Sequence, residues 1–140
     1  MISRIIKFIV ACLVVGSVPA MAGQTENEKM AVSGAEKWLG VVDSGKYGES
    51  WKEAAEYFRN AVKQEQWEQA VKAVRKPLGK LISRKVQSAT FKTALPGAPD
   101  GQYVVIEFET SFENKKSAVE TVTPMIDKDG KWRVSGYYIK

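Results

Sequence analysis

Apolar residues recur along this chain with two different spacings, and the change falls near residue 80. Before that point they return every three or four positions, which predicts helices with one buried face. The predicted helices are Thr25–Asp43, about Ser50–Val62 and Gln64–Arg75. The first two open with a hydroxyl residue followed by Glu three positions later, the sequence of a capping box. Pro77 and Gly79 end the third helix.

After Gly79 the apolar residues alternate with polar ones, which indicates strands with one buried face. The predicted strands are Leu81–Leu95, Tyr103–Phe112, Ser117–Ile126 and Trp132–Ile139. A shift of phase inside the first of them indicates a bend or a bulge. Asn114-Lys115 and Gly130 supply the hairpin turns before the third and fourth strands. This order predicts an α+β fold, in which three N-terminal helices pack on one face of a curved four-stranded antiparallel meander.

The first residues of the chain have the order of a secretory signal. Arg4 and Lys7 precede the apolar run Phe8–Val15, and small residues follow as far as Ala20-Met21-Ala22. The apolar run is far shorter than the roughly 20 residues that a membrane-spanning helix needs. We therefore expect cleavage after Ala22, no membrane span in the mature chain, and a periplasmic or secreted protein. A lipoprotein box at Ile9–Cys12 is the less favoured alternative, because it would leave further apolar residues on the mature chain.

Cleavage would divide the chain into a signal, residues 1–22, and residues 23–140, which have the length of one domain. The mature chain would carry nineteen basic and sixteen acidic residues, a bias too weak and too interspersed to predict nucleic-acid binding. The sequence contains no His, and its one Cys, Cys12, leaves with the signal. We therefore expect no disulfide, no metal site and no cofactor. The sequence also lacks a phosphate-binding loop, a dinucleotide fingerprint and a Gly-x-Ser-x-Gly nucleophile turn.

A set of short stretches is spread over nearly the whole predicted mature chain. They are Asp43-Ser44-Gly45-Lys46-Tyr47, Ser50-Trp51, Trp67, Pro77-Leu78-Gly79, Ser83-Arg84, Leu95-Pro96-Gly97, Tyr103-Val104-Val105, Glu120, Asp129-Gly130-Lys131-Trp132-Arg133-Val134 and Gly136-Tyr137-Tyr138. Together they resemble a bacterial family, domain of unknown function 4019. The resemblance implies an exported or lipoprotein-borne domain with the cone-shaped α+β fold of nuclear transport factor 2 and the cystatin-like superfamily. It implies no activity, because the family has no established one and a fold alone confers none.

The candidate site is an aromatic-lined cone that holds a few polar side chains. The ligand-binding candidates are Tyr47, Trp51, Arg84, Phe108, Trp132 and Tyr138. Glu120 and Tyr138 are weak catalytic candidates, because a buried carboxylate beside a tyrosine hydroxyl can have a raised pKa and move protons. Ordinary packing is nevertheless the commoner role of such aromatic residues. For Asp43 and Arg84 the simplest interpretations are a helix-ending turn and an ion pair.

The orientation of Glu120 depends on the register of the second hairpin. If Asn114-Lys115 is a plain two-residue turn, Glu120 lies opposite Glu109 and faces the solvent. If a bulge shifts the pairing by one residue, Glu120 lies opposite Phe108 and faces the cone, since a shift of one residue exchanges the two faces of a strand. The inward placement is favoured, because it also buries Val122.

Three classes of function fit these observations. The favoured one is a non-enzymatic exported module that binds a small apolar or amphipathic molecule, or a segment of an envelope protein, in the cone. The alternatives are a structural or interaction protein with a filled core, and a histidine-free lyase or isomerase that uses Glu120 and a tyrosine. An aromatic cavity of several hundred Å3 would favour binding. A solid core would favour the second class, and an outward Glu120 would exclude the third.

Overall fold

Residues 25–140 are described by a computed structural model, in which four helices are followed by four strands. The helices are α1 (Glu26–Asp43), α2 (Tyr47–Lys52), α3 (Glu56–Ala61) and α4 (Gln64–Leu78). The strands are β1 (Leu81–Lys92), β2 (Tyr103–Phe112), β3 (Lys115–Ile126) and β4 (Trp132–Ile139). This arrangement confirms the predicted α+β class with the helices N-terminal to the strands. The predicted signal, residues 1–22, lies outside the described residues.

The four strands form one open antiparallel sheet in the order β1-β2-β3-β4. This order confirms the predicted meander. The register of β1 against β2 shifts between Val86 and Ser88, as the change of phase in the sequence predicts. β1 ends at Lys92 rather than at Leu95. The two edges of the sheet are therefore β1 and β4.

The predicted second helix is wrong, because the structure has two short helices, α2 and α3, in its place. The chain leaves the helical conformation at Ala55, whose ψ angle is 149°. The N–H of Ala55 donates a hydrogen bond of 2.8 Å to the carbonyl oxygen of Val134 in β4. An α-helix would use this N–H internally, so the contact with β4 requires the break.

The two predicted capping boxes have different outcomes. At the start of α1, the Thr25 hydroxyl accepts from the Glu28 N–H at 3.2 Å, and the Glu28 carboxylate accepts from the Thr25 N–H at 2.7 Å. The box predicted at Ser50 is wrong, because Ser50 lies inside α2. Its hydroxyl donates to the carbonyl oxygen of Tyr47 at 2.6 Å and accepts from the indole N–H of Trp67 at 2.9 Å. Ser50 therefore joins α2 to α4 instead of starting a helix.

The core lies between the helices and the inner face of the sheet. Its buried apolar side chains are Ala31, Val32, Ala35, Trp38, Leu39, Val42, Trp67, Val71, Val104, Ile106, Phe108, Val122 and Val134. Each large apolar side chain buried in this way contributes roughly 1.5 to 3 kcal/mol to stability. Among residues 25–140, no helix has the length and apolar composition needed to cross a membrane.

An aromatic cluster occupies the space that the sequence left open as either a cavity or a filled core. The ring of Trp67 lies 5.1 Å from that of Phe58, 5.9 Å from that of Trp38 and 6.3 Å from that of Tyr137, measured between centroids. The Tyr137 ring also meets Trp38 edge to face at 5.4 Å. These separations are typical of packed aromatic pairs. The space between α1, α4 and the sheet is therefore filled by side chains.

Candidate functional site

Glu120 faces the core and has no exposed surface. It pairs with Phe108 across the β2–β3 ladder, and the register shifts between Thr110 and Phe112. The hairpin turns one residue earlier than a plain Asn114-Lys115 turn would, because Phe112 pairs with Lys115. β3 accordingly begins at Lys115. The structure thus confirms the inward placement of Glu120 that the bulged register predicts.

Three side chains donate hydrogen bonds to the buried Glu120 carboxylate. Arg84 donates from Nε to Oε1 at 2.6 Å and from Nη2 to Oε2 at 3.2 Å. The Thr110 hydroxyl donates to Oε1 at 2.7 Å, and the Tyr137 hydroxyl donates to Oε2 at 2.5 Å. Each carboxylate oxygen therefore accepts two hydrogen bonds, and burial of the charge is compensated.

Arg84 continues the network to the end of α1. Its Nη1 and Nη2 donate to Oδ2 and Oδ1 of Asp43 at 2.7 and 3.0 Å. From α4, Nη2 of Arg75 also donates to Oδ1 of Asp43 at 2.7 Å. Two guanidinium groups thus balance two carboxylates, as buried charges require.

Arg75 is the least satisfied member of the network. Its Nε and Nη1 are buried and have no hydrogen-bond partner among the described residues. The guanidinium carbon lies 4.9 Å from the centroid of the Phe112 ring. The face of an aromatic ring attracts a cation, so this contact offsets part of the cost of burying Arg75.

Burial and neighbouring charges shift the pKa values of three members of the network, Asp43, Arg84 and Tyr137. Burial alone would raise the pKa of Asp43, but hydrogen bonds and charges from Arg84 and Arg75 outweigh it and lower that pKa. Burial opposes the charge of Arg84, yet its two carboxylate partners raise its pKa. Burial, followed by the charge of Glu120, raises the pKa of Tyr137. All three shifts lead away from neutrality, so the arrangement favours charges on Asp43 and Arg84 and a neutral hydroxyl on Tyr137.

The structure brings together some of the predicted site residues and separates others. Glu120 and Arg84 meet directly, whereas Tyr138 lies on the other face of β4 and is 54% exposed. The predicted pairing of Glu120 with Tyr138 is therefore wrong. Its place is taken by Tyr137, because adjacent residues of a strand face opposite sides.

The remaining candidates do not share one cavity. Phe108 is fully buried in the core, and Tyr47 and Trp51 are half-buried at its margin. The Trp51 indole N–H donates to the carbonyl oxygen of Val62 at 2.8 Å. Trp132 lines a separate groove at the start of β4.

Sequence reasoning missed Arg75, Thr110 and Tyr137 as members of the network. Two of them carry a recognisable signal. Arg75 falls on the same helical stripe as Trp67 and Val71, which is an unusual position for a cation. Thr110 lies two positions after Phe108, on the same buried face of its strand. The choice between Tyr137 and Tyr138 depends on register, which the sequence leaves open.

A second feature is an apolar groove of about 210 Å3 between α4 and β4, which we call the edge groove. Its lining residues are Trp67, Ala70, Val71, Val74, Tyr137, Tyr138 and Ile139. Tyr137 and Tyr138 point to opposite faces of the sheet, yet both line the groove. The groove must therefore pass along the outer edge of β4.

The backbone of β4 is available along this edge. Lys140 and Val119 exchange both of their backbone hydrogen bonds, at 2.9 and 3.2 Å. In an antiparallel pair, alternate residues turn their N–H and C=O groups away from the neighbouring strand. Tyr137 and Ile139 therefore direct these groups outward, where neither has a backbone partner elsewhere within residues 25–140. Earlier in the strand, the same edge is covered at Val134 by Ala55.

Comparison with known proteins identifies one family. The family model described as "Protein of unknown function (DUF4019)" matches residues 34–137, well over half of the chain. The matched range runs from α1 to Tyr137 and includes Asp43, Arg84 and Glu120. No curated protein and no solved structure matches the chain. The cone-shaped fold of nuclear transport factor 2 therefore stays a prediction.

Proposed function

The chain belongs to the DUF4019 family, and from that premise we propose that it is an exported, non-enzymatic module that binds an extended apolar segment of another protein. The segment adds to the outer edge of β4 and places side chains in the edge groove. The observation that carries this proposal is the coincidence of an apolar groove with an unpaired strand edge.

The composition and size of the edge groove support a peptide as the occupant. Val74 and Tyr138 are 48% and 54% exposed, although both are large apolar residues. Pockets for small molecules usually measure roughly 300 to 1,000 Å3, and the edge groove measures about 210 Å3. That volume suits a few side chains of an extended segment better than a complete small ligand.

The backbone geometry supports the addition of a strand. Outward N–H and C=O groups at Tyr137 and Ile139 can form main-chain hydrogen bonds with an extended partner. On such a partner, alternate side chains would point toward α4 and enter the edge groove. This arrangement gives affinity through the backbone and selectivity through the apolar side chains.

The enzymatic alternative has little support. Glu120 is fully buried, and its two oxygens already accept four hydrogen bonds. A general base needs a free position within reach of a substrate proton. The filled space between α1, α4 and the sheet agrees instead with a protein that works through its surface.

The N-terminal sequence supports export. Basic residues, a short apolar run and the triplet Ala20-Met21-Ala22 have the order of a signal peptide. Mass spectrometry of the protein recovered from the producing cells tests this part, with a mature chain beginning at Gly23 as the expected result. A full-length chain retained in the cytoplasm would contradict it.

Binding of a short peptide of alternating valine and threonine, followed by NMR, tests the proposed docking site. We expect the backbone signals of Tyr137 and Ile139 to shift on titration. Val74→Glu places a charge in the edge groove and should abolish binding. The matched control is Ile82→Glu, because Ile82 is a similarly exposed apolar residue on β1 at the other edge of the sheet.

A second variant tests whether the outward backbone N–H of Ile139 contributes to peptide binding. Ile139→Pro removes the outward N–H and leaves the bonds between β3 and β4 in place. Peptide binding should weaken, whereas Ile139→Ala retains the N–H and separates this effect from loss of the side chain. Unchanged affinity in both Val74→Glu and Ile139→Pro would overturn the proposal.

A further inference from the structure

A second groove lies at the other end of β4, beside Trp132, and we call it the basic groove. Its volume is about 430 Å3. That volume falls within the range of roughly 300 to 1,000 Å3 that is usual for small-molecule sites. Five charged residues and two tryptophans, Trp38 and Trp132, line the basic groove, so its chemistry differs from that of the edge groove.

Positive charge dominates the lining of the basic groove. Lys37, Lys52 and Lys131 line it, and none of the three forms an ion pair with any of residues 25–140. Glu53 is the acidic residue among the lining side chains. The three ammonium groups therefore exceed the neighbouring carboxylate, and the groove favours a negatively charged occupant.

Arg133 also lines the groove, but its guanidinium group is already paired with carboxylates of the same turn. Its Nη1 and Nη2 each donate to Asp129 at 2.7 Å, and Nη1 also lies 3.3 Å from Asp127. These contacts raise the pKa of Arg133 and hold its side chain in place. Arg133 thus lines one side of the groove without being free to pair with a ligand, and the three lysines are the groups that can bind an anion.

Trp132 supplies an apolar surface beside these charges. Its side chain is half-buried and packs against the core. α1 passes close behind it at Gly34, where an added Cβ would lie 3.6 Å from the carbonyl oxygen of Trp132. α1 therefore lies beside the start of β4. Gly34 and Trp132 line the groove together at this junction.

We propose that the basic groove binds an organic anion that carries a ring. The ring packs against the Trp132 indole, and the phosphate or carboxylate of the ligand contacts Lys37, Lys52 and Lys131. This site is independent of the edge groove and does not rest on the proposed peptide binding. It requires a ligand with both parts, because exposed lysines alone bind simple anions weakly and are screened by salt.

Isothermal titration calorimetry at low ionic strength with three probes tests the proposal. The probes are phenyl phosphate, inorganic phosphate and phenol. Phenyl phosphate should bind at least about tenfold more tightly than either of the others, which corresponds to about 1.4 kcal/mol. Equal affinities for phenyl phosphate and inorganic phosphate would overturn the assignment of the ring to Trp132.

Variants locate the site. Reversal of two charges in Lys37→Glu/Lys131→Glu should weaken phenyl phosphate binding at least about tenfold, and both side chains are exposed, so the fold should persist. The matched control is Lys92→Glu, an exposed lysine at the end of β1. Trp132→Leu should remove the preference for phenyl phosphate over inorganic phosphate. Binding that survives the double charge reversal unchanged would overturn the proposal.

Discussion

Glu120 connects every strand of the sheet through a single side chain. It belongs to β3, and its partners Arg84, Thr110 and Tyr137 come from β1, β2 and β4. The carboxylate is fully buried, so these side chains rather than water must supply its hydrogen bonds. The residue is therefore a structural anchor of the inner face of the sheet.

Replacement of Glu120 by Gln tests this role. The variant keeps the shape of the side chain but leaves Arg84 with Asp43 as its remaining carboxylate partner. Breaking one side of a buried ion pair usually costs about 3 to 5 kcal/mol, and we expect a loss of that order in the free energy of unfolding. Urea denaturation at neutral pH measures it.

The control is Glu109→Gln on the outer face of β2. Glu109 pairs with Lys85 at 3.4 Å, and both side chains are more than half exposed. Exposed pairs usually contribute about 0.2 to 1 kcal/mol, so this variant should remain close to the original protein. Similar losses in the two variants would contradict the anchoring role of Glu120.

At the same scale, the sequence identifies the right residue types but not always the right partners. It places Glu120 and Arg84 in one candidate site, and the structure joins them. It cannot choose between Tyr137 and Tyr138, because neighbours on a strand face opposite sides and the choice depends on pairing. The deciding bulge between Thr110 and Phe112 arises from contacts between two strands and has no local sequence signal.

At the scale of elements, the end of α4 packs tightly against the β2–β3 hairpin. Gly79 has a φ angle of 75° and a ψ angle of −158°, a combination that is essentially restricted to glycine. A Cβ at this position would lie 2.6 Å from a carboxylate oxygen of Glu113 and 2.9 Å from its Cβ. A backbone hydrogen bond also joins the hairpin to α4, because the Asn114 N–H donates to the carbonyl oxygen of Leu78 at 2.9 Å.

Gly79→Ala should therefore destabilise the protein more than an ordinary glycine substitution. Strain in this region of backbone conformation costs about 1 to 3 kcal/mol, and the clash with Glu113 adds to it. Gly97→Ala is the control, because Gly97 also has a positive φ angle, 76°, but an added Cβ there meets no atom within 4 Å. Thermal unfolding of both variants compares them, and equal shifts in Tm would show that the hairpin contact contributes nothing.

Helical periodicity predicts α1 and most of α4, because each buries a regular stripe of side chains. It fails between α2 and α3. The residues there, Ala54 and Ala55, favour a helix by their own propensity, and the break comes from the bond between Ala55 and Val134 in β4. A contact between segments so distant in sequence overrides local preference and cannot be read from the periodicity.

At the scale of the whole molecule, Asp43 joins the helical layer to the sheet and gives stability a dependence on pH. Its pKa in the folded protein is lower than its ordinary value of 3.8. The unfolded chain therefore binds a proton more readily, and stability falls as the pH drops below 3.8 through the folded pKa. The contribution of Asp43 is fully present above that window.

Asp43→Asn should reduce this acid sensitivity. The variant should be less stable than the original protein at neutral pH, because Arg75 and Arg84 lose a carboxylate. Its free energy of unfolding should then decrease less steeply on acidification from about pH 5 to about pH 2. Urea denaturation over this range measures both effects. The control is Asp100→Asn, because Asp100 is exposed and forms no ion pair among the described residues. If the stability of Asp43→Asn and of the original protein changed in parallel with pH, the prediction would be refuted.

The sequence predicts the overall class and strand order of this molecule but not its grooves. Helices before strands, together with short turns, leave few alternatives to an α+β meander. The edge groove, in contrast, forms where α4 approaches the end of β4, between residues such as Val74 and Ile139. Such surfaces depend on how distant elements pack, which residue patterns do not encode locally.

Tyr137 lines the edge groove, and its side chain is held in place within the folded protein. Its ring is held between Trp38 and Trp67, and its hydroxyl is held by Glu120. Ordering a mobile side chain on association costs about 0.5 to 1.5 kcal/mol, and this tyrosine has already given up that freedom during folding. In the proposed complex, the entropy lost at this tyrosine would therefore fall on the docking segment, so stiffer segments should bind more tightly than flexible ones.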